Sequence, residues 1–250
     1  MKFNPMKRRI PVLKRLVPSL KKRLARARAL NGFCLRRSGG AVFLLNTGNF
    51  VDRQIAFYED FESRQLAYLF AAMRRHGCDL FVDVGANIGF YSIEVALAGL
   101  APRVLAFEPD PRNLLQLGAN ILMNRLVDRI TVIPKAVSER AGTVSFQPAA
   151  DSSTGQSRVD EGAGTAIESV ALDEAIGGEG RRLFVKMDIE GHELAALRGM
   201  RACAGRNRIF LQVECFPANL APAKEMLAAY GMMHLTQIGD DHYFANFPAG

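Results

Sequence analysis

Short apolar segments alternate with helical segments along the second part of the chain, and this alternation limits the folds it can adopt. The pattern predicts strands at 79–84, 103–108, 130–135, 182–188 and 208–214, with helices at 88–99, 111–124, 191–200 and 219–230. Strands that are separated by helices pair in parallel, with helices on both faces of the sheet. The sequence therefore predicts an α/β fold built on a mostly parallel sheet.

Additional segments before, within and after this alternation limit the α/β folds that the chain can adopt. Further strands are predicted at 143–147 and 167–172, and the segments 232–238 and 242–247 flank Gly239-Asp240-Asp241, a turn signal for an antiparallel hairpin. Before the alternation begins, residues 41–57 predict a hairpin or two short strands around Thr47-Gly48-Asn49, and 60–76 predict an amphipathic helix. We therefore expect a parallel sheet that ends in a C-terminal antiparallel hairpin.

The chain has 250 residues, of which 49% are hydrophobic, and this is enough for one sizeable core. Its charge is distributed unevenly. Residues 1–30 hold 11 Lys and Arg and no acidic residue, whereas 31–250 hold 21 basic and 25 acidic residues. Apolar residues at near-helical spacing over 12–30, interrupted at Pro18, predict a basic amphipathic arm. Such an arm either contacts an anionic membrane or an acidic partner, or it is a solvated tail or a helix that packs loosely on the domain.

The expected compartment follows from the cysteines and the hydropathy. The four cysteines are widely spaced without a C-x-x-C pair, which indicates neither a disulfide framework nor a zinc site. No run of 18 uncharged apolar residues predicts a membrane-spanning helix, and no signal-peptide pattern opens the chain. We expect a cytoplasmic protein, with peripheral contact of residues 1–30 at the inner membrane face as an open alternative.

The stretch FVDVGANIGFYSIEVA, residues 81–96, predicts a strand, a glycine turn and a helix. Asn87 stands where a dinucleotide-binding turn needs its middle glycine, and no Lys-Ser or Lys-Thr follows as in a P-loop. Asp83 would repel an anion at the strand end but would accept a cationic ligand. Gly85 allows close approach of the backbone, and Gly89 allows the helix to pack against the strand.

Glu108 ends the next predicted strand, 19 residues after Gly89. An acidic residue about 20 positions beyond such a turn can accept the two hydroxyls of an adenosine ribose. Together with Asp83, it favours a nucleoside cofactor that has free ribose hydroxyls and a positive centre, which S-adenosyl-L-methionine fits. The alternative is that Glu108 only caps the following helix, a role that Asp110 could fill equally well.

Four successive blocks of the sequence resemble the FkbM-type S-adenosylmethionine-dependent methyltransferases. They are FVDVGANIGFYSIEVA, VLAFEPDPRNLLQLGANILMN, VIPKAVSERAGTVSF and LFVKMDIEGHELAALRGM, in order over about 79–215. The resemblance implies a class I methyltransferase fold over 79–250, with a seven-stranded Rossmann-like sheet whose last hairpin contains an antiparallel strand. It also implies O-methylation of sugars or secondary metabolites, and places Ala136 near the adenine. Residues 1–40 lie outside it.

A second group of polar residues follows the strand at 182–188. Lys186, Asp188 and Glu190 alternate along the chain, so one face of the strand tip would present all three beside Asp83. The tip of the next strand adds Glu214. Methyl transfer to an alcohol requires the acceptor to be held close and its proton to be removed. We predict that Asp188 or Glu190 accepts this proton, that Lys186 fixes the carboxylates or the acceptor, and that Asp188 also contributes to the cofactor site.

Other roles for this motif remain open. His192 is a competing base, whereas Glu193 is better explained as a charge that complements the dipole of its helix. A divalent metal bound by the carboxylates is possible but not favoured, because Lys186 already supplies positive charge. Rival functions are a non-catalytic cofactor-binding module, a nicotinamide oxidoreductase and a nucleic-acid methyltransferase guided by the basic arm. We expect a small-molecule or glycan acceptor rather than nucleic acid.

Overall fold

The structure is a computed structural model that describes residues 30–57, 61–159 and 164–249. In chain order its strands are β1 (Phe33–Ser38), β2 (Ala41–Asn46), β3 (Leu80–Val84), β4 (Val104–Phe107), β5 (Ile130–Ile133), β6 (Ala136–Val137), β7 (Gly142–Gln147), β8 (Arg158–Val159), β9 (Thr165–Val170), β10 (Arg182–Met187), β11 (Arg208–Glu214), β12 (Met233–Ile238) and β13 (Asp241–Ala245). The helices are α1 (Phe50–Phe57), α2 (Ser63–His76), α3 (Phe90–Leu97), α4 (Pro111–Met123), α5 (Leu172–Ala175), α6 (Glu193–Arg198), α7 (Arg201–Arg206) and α8 (Pro217–Ala229), with a 3₁₀ helix at Asp151–Gln156.

The central sheet has seven strands in the order β12-β13-β11-β10-β3-β4-β5. The five strands from β11 to β5 are parallel, and β13 runs antiparallel to both of its neighbours. β3 is buried along its whole length, as is most of β10 and β11, because helices cover both faces of a parallel sheet. The predicted seven-stranded α/β fold is confirmed.

The strand ends differ slightly from the predicted ones, with a consequence for the site. β4 ends at Phe107 and β10 at Met187, so Glu108 and Asp188 lie in the connections just beyond the sheet. The helix predicted at 191–200 begins only at Glu193, because Glu190 and Gly191 adopt left-handed backbone conformations with φ of 53° and 104°.

The prediction for residues 41–57 is wrong in its second half. β2 pairs antiparallel with the preceding β1, around Gly39-Gly40, and 50–57 form helix α1. Asn49 explains the change of structure, because its Oδ1 accepts the N–H of Val51 at 3.0 Å, as an N-cap side chain does. The ribbon formed by β1 and β2 therefore leads directly into a helix.

Helix α4 holds the ribbon against the domain through a row of amides at i, i+4 and i+8. Asn120 Oδ1 accepts the Leu44 N–H at 2.7 Å, and Gln116 Nε2 donates to the Leu44 carbonyl at 2.8 Å. Asn124 accepts from and donates to the backbone of Val42. These side chains satisfy backbone groups along the free edge of β2, as a neighbouring strand would do.

The buried side chains form two clusters, one on each face of the central sheet. One cluster contains Phe81 and Phe184 together with Phe43, Leu45 and Leu69 from the N-terminal ribbon and helices, and the other lies between the sheet and α5 to α8. A smaller sheet, in the order β6-β9-β7-β8, lies beside the main one. Within the described part of the chain, none of the helices has the length and apolarity that crossing a membrane requires.

Candidate active site

A cavity of about 270 Å³ opens at the carboxyl ends of the parallel strands. Its lining includes every residue predicted for the site except Gly89: Asp83, Gly85, Asn87, Glu108, Ala136, Lys186, Asp188 and Glu190. In open parallel sheets, ligands bind beyond the carboxyl ends of the strands, where loops carry the polar groups. We call the part formed by the β3–α3 turn, Glu108 and Ala136 the turn side, and the part formed by Glu62, Lys186, Asp188, Glu190 and Glu214 the lysine side.

The β3–α3 turn has a backbone path that glycine makes possible. Gly85, Asn87 and Gly89 have φ values of 80°, 52° and 88°. The N–H groups of Gly85 and Ala86 both donate to the Phe107 carbonyl, at 3.0 and 2.9 Å, which fixes the turn to the end of β4. A Cβ atom at Gly85 would overlap the Asp188 carbonyl oxygen, so the turn packs directly against the end of β10.

Gly89 itself lies behind the turn rather than on the cavity wall. It is the N-terminal cap residue of α3, and a Cβ atom there would overlap a methyl group of Leu117 on α4. Gly89 thus allows α3 to approach α4, whereas the prediction had placed its close contact against the strand, and ligand contact is left to the other turn residues.

Asp83 is buried, with 1% of its surface exposed. Its Oδ2 accepts hydrogen bonds from the Ser92 N–H at 3.0 Å and the Ser92 hydroxyl at 2.6 Å. Oδ1 is buried without a hydrogen-bond partner. Burial raises the pKa of Asp83, while the positive charge of Lys186 on the neighbouring strand partly offsets this effect.

Glu108 connects the turn to the start of α4. Its Oε2 accepts the Asn87 N–H at 2.8 Å, and its Oε1 accepts the Asp110 N–H at 2.8 Å. Burial raises the pKa of Glu108 to about 7. Helix α4 is capped instead by Asp110, whose Oδ1 accepts the Arg112 N–H at 2.9 Å. The alternative that Glu108 serves only as the helix cap is therefore wrong.

Lys186 is the centre of the lysine side and is 7% exposed. Its Nζ donates to Asp188 Oδ2 at 3.0 Å and lies 5.2 Å from the centre of the Tyr91 ring. Burial alone would lower the pKa of Lys186, but the negative charges of Asp188, Asp83 and Glu62 outweigh it and raise the pKa well above its usual range. Lys186 is therefore a permanent cation between the two sides of the cavity.

Two more carboxyl groups line the cavity on the lysine side, Glu190 and Glu214. Burial and the charge of Asp188 raise the pKa of Glu190 to about 7 and that of Glu214 to about 8. Of the predicted Lys186, Asp188 and Glu190 set, only Lys186 lies within the strand, so the three residues do not share one strand face. They nevertheless meet at the cavity, because the left-handed turn at Glu190 directs the chain back towards it.

The two neighbouring polar residues have partners of their own. His192 lines the cavity, and its Nε2 lies 2.9 Å from the Ser138 hydroxyl, while burial lowers its pKa. Glu193 Oε1 accepts the Gly191 N–H at 2.7 Å at the start of α6. Glu193 thus stabilises the helix terminus, which agrees with the role expected for it.

Several lining residues were not predicted from the sequence. Phe50 and Val51 of α1, Glu62 before α2, and Thr154 and Gly155 of the 3₁₀ helix all contact the cavity. Asn49 Nδ2 donates to the Thr154 hydroxyl at 2.6 Å, which joins the N-terminal helices to the 3₁₀ helix. Glu62, with φ of 46°, has a strained backbone, but nothing in its sequence surroundings marks it as a site residue.

The described residues contain no group of three or more His, Cys, Asp or Glu side chains arranged to hold a metal ion. On the lysine side, Asp188 Oδ2 instead accepts a hydrogen bond from the ammonium group of Lys186 at 3.0 Å.

Residues 83–230 match the Methyltransferase FkbM domain family. Because this match covers more than half of the chain, the chain belongs to that family. A curated relative, the hexuronic acid methyltransferase AglP of Haloferax volcanii, is 31% identical over 124 residues, which are 49% of this chain and 50% of that protein. The chain therefore spans about half the length of the curated relative it matches.

Solved structures that resemble this chain include the following two. The FkbM methyltransferase of Methylobacillus flagellatus is 23% identical, with a TM-score of 0.47 over 67% of this chain and 43% of that chain. TYW2 of M. jannaschii, solved in complex with AdoMet, is 12% identical, with a TM-score of 0.46 over 86% of this chain and 84% of that chain.

Proposed function

We propose that this protein is an S-adenosyl-L-methionine-dependent O-methyltransferase that acts on a hydroxyl of a sugar, glycan or secondary metabolite. The observation that supports this most is the pair of buried carboxylates, Asp83 and Glu108, in one cavity around a left-handed glycine turn. Family membership supports methyl transfer, and the relative named as a hexuronic acid methyltransferase supports a sugar acceptor.

The turn side fits this cofactor in the chemistry of its groups. Asp83 Oδ1 and Asn87 Oδ1 are buried without partners and can accept hydrogen bonds from a positively charged amino group. Glu108 Oε2 accepts the Asn87 N–H and keeps a second lone pair, which suits a ribose hydroxyl, whereas Oε1 accepts both the Asp110 N–H and, at 3.4 Å, the Asn113 side-chain amide. Ala136 offers a small apolar contact on the cavity wall for the adenine.

The lysine side would hold the acceptor. When bound, the cofactor supplies a sulfonium methyl group that is transferred to a nucleophilic oxygen. Glu190 is the strongest candidate for accepting the proton of the acceptor hydroxyl, because its pKa of about 7 lies near the operating pH. Asp188 Oδ2 is engaged by Lys186, so this pair would orient the acceptor and hold the charge of the site constant. Positioning of this kind contributes on the order of 7–11 kcal/mol in favourable cases.

The acceptor side of the cavity is lined by charged residues of both signs. Glu62, Asp188, Glu190 and Glu214 lie there with the buried Lys186, and Lys135 and Arg158 also line the cavity. Because burial raises the pKa of Glu190 to about 7 and that of Glu214 to about 8, these carboxyl groups hold protons near neutrality and do not by themselves repel an anion. We therefore propose a polyhydroxyl acceptor, neutral or acidic, whose hydroxyls hydrogen-bond to these side chains.

Calorimetric titration with S-adenosylmethionine and, separately, with NAD⁺ tests this proposal. We expect binding of the first ligand alone. Glu108→Ala should weaken it about 100-fold, because hydrogen bonds to charged groups contribute about 1.5–3 kcal/mol each. Asp83→Ala should abolish binding, and Asp188→Ala should weaken it and also remove turnover.

The exposed carboxylate Glu174 provides the matched control, and Glu174→Ala should bind like the parent. Unchanged affinity in Glu108→Ala, or binding of NAD⁺ in place of S-adenosylmethionine, would overturn the proposed function. Cofactor binding by the parent without methyl transfer to any hydroxylated acceptor would indicate a non-catalytic binding module.

A further inference from the structure

The ribbon formed by β1 and β2 has an unusual outer face. In its register Leu35 pairs with Leu44 and Arg37 with Val42, and cross-strand partners point to the same face. Phe33 is on this face too, two residues from Leu35. Leu35 is 64% exposed and Phe33 is 37% exposed. The outer face is therefore apolar at Phe33, Leu35, Val42 and Leu44, of which the two β1 residues are exposed and the two β2 residues are partly buried.

The inner face already accounts for the packing of the ribbon. Ala41, Phe43 and Leu45 are fully buried in the core, and Cys34, the cross-strand partner of Leu45, packs against the same cluster. An antiparallel ribbon with one buried face normally carries polar residues on the other. Here apolar residues occupy both faces, and an exposed apolar patch of this kind marks an interaction surface.

Charge identifies the partner that this surface fits. The chain has no acidic residue before Asp52, and its first 51 residues include 13 Lys and Arg. Two of these are exposed on β1, namely Arg37 on the outer face beside Val42 and Arg36 on the opposite face beside Phe43. Asp52 does not offset them at the surface, because its side chain is buried and accepts a hydrogen bond from Gln116 Nε2 at 2.6 Å.

We propose that the outer face of the ribbon, formed by Phe33, Leu35, Val42 and Leu44, docks on an anionic phospholipid membrane. Apolar side chains beside clustered basic residues insert at the headgroup boundary and are attracted by anionic lipids. Nucleic acid would engage the basic residues through its phosphates and would not require exposed Leu35 and Phe33.

The location of the ribbon links this surface to the cavity. The turn at 47–49 is all that separates β2 from α1, whose residues Phe50 and Val51 line the cavity. A docked ribbon therefore holds the cavity next to the membrane surface, where an acceptor attached to a lipid would be found. This inference concerns location and does not depend on the reaction proposed above.

Flotation of the full-length protein with lipid vesicles tests the proposal. We expect binding to phosphatidylcholine vesicles that contain phosphatidylglycerol, weak binding to pure phosphatidylcholine, and release at high salt. Leu35→Ser should weaken binding to the anionic vesicles about tenfold, as the loss of one buried leucine predicts. Leu122→Ser is the matched control, because Leu122 is 67% exposed on α4 and its neighbours Asn120 and Asn124 face the ribbon instead.

Several outcomes of these measurements would contradict membrane docking. Absence of vesicle binding, equal binding to neutral and anionic vesicles, or equal effects of Leu35→Ser and Leu122→Ser would overturn the proposal. Tight salt-dependent binding to a labelled DNA or RNA oligonucleotide that is unaffected by Leu35→Ser would assign the basic residues to nucleic acid instead. Titration of Leu35→Ser with S-adenosylmethionine should give the parent affinity, which separates this result from a failure of the proposed function.

Discussion

The two sides of the cavity carry the same chemical group in different surroundings. On the turn side, Asp83 and Glu108 accept hydrogen bonds donated by Ser92, Asn87 and Asp110, four of them at 2.6–3.0 Å. On the lysine side, Glu190 and Glu214 lie near Asp188, whose negative charge adds to burial in raising the pKa of both.

This difference separates holding a ligand from exchanging a proton. A carboxylate fixed by backbone donors keeps its position and suits a cofactor that must bind in one geometry. The pKa of Glu108 is raised to about 7, as is that of Glu190, so the two roles differ by position and hydrogen-bond partners and not by pKa. Both oxygens of Glu108 are held by backbone N–H groups, whereas Glu190 lies on the side proposed to hold the acceptor, where it can accept a proton. Lys186 belongs to both sides, because it pairs with Asp188 and also offsets the charge of Asp83.

Removal of Lys186 should destabilise both sides of the cavity and should cause the largest loss of stability and activity. Lys186→Met leaves Asp83 and Asp188 without their shared cation, and breaking a buried ion pair costs about 3–5 kcal/mol. We expect the free energy of unfolding to fall by about this amount in urea denaturation, with loss of methyl transfer.

The double variant Lys186→Met, Asp83→Asn is the control for this effect. Neutralising Asp83 removes one of the two stranded charges, so the double variant should recover part of the lost stability without recovering activity. If Lys186→Met is as stable as the parent, the cation does not link the two sides.

Gly85 lies where the two sides touch, so its substitution tests whether the contact between them is needed for stability and cofactor binding. Gly85→Ala places a Cβ atom on the Asp188 carbonyl oxygen at a φ of 80°, so we expect a loss of about 2–4 kcal/mol in the free energy of unfolding. Cofactor affinity, measured by calorimetry, should fall as well, because the turn must move.

Gly118 offers a matched substitution in the interior of α4. A Cβ atom there meets nothing within 4 Å, so Gly118→Ala should raise the free energy of unfolding by about 0.5–1 kcal/mol and leave cofactor binding unchanged. Equal effects of the two substitutions would mean that the contact between Gly85 and Asp188 is not a constraint.

Sequence patterns predicted the parts of the molecule that repeat or end a strand. The seven strands of the central sheet follow from apolar segments, and Asp83 and Glu108 follow from their places at strand ends. Helix α1 was missed because Asn49 starts it through a local side-chain cap, which a strand-like apolar pattern conceals.

The contribution of the N-terminal residues to the cavity could not be predicted in this way. Glu62 is far from Lys186 in sequence and reaches the same cavity only through the packing of α2 on the sheet. Asn120 and Asn124 form contacts of the same long-range kind, because their partners are backbone groups of β2. Periodicity records which face of a helix is buried, but not which distant segment covers it.

A further prediction concerns the lysine side alone and appears in the pH dependence of stability. Glutamate in an unfolded chain titrates near pH 4.3, whereas the folded-state pKa of Glu214 is raised to about 8. The folded protein therefore holds this proton over a range where the unfolded chain has lost it. Its contribution to stability is complete below about pH 4 and is lost progressively as the pH rises to about 8.

Comparison with Glu214→Gln isolates this contribution. Burial lowers the pKa of His192, His234 and His242, so these histidines add stability as the pH rises. Their effect on the stability of the whole protein opposes that of Glu214. The difference in melting temperature between the parent and Glu214→Gln removes their effect. We expect the melting temperature of the parent to fall relative to that of Glu214→Gln from about pH 5 to about pH 8, and the difference then to stay constant. The exposed Glu174→Gln should show no such trend, and a pH-independent difference for Glu214→Gln would mean that the lysine side does not hold a proton near neutrality.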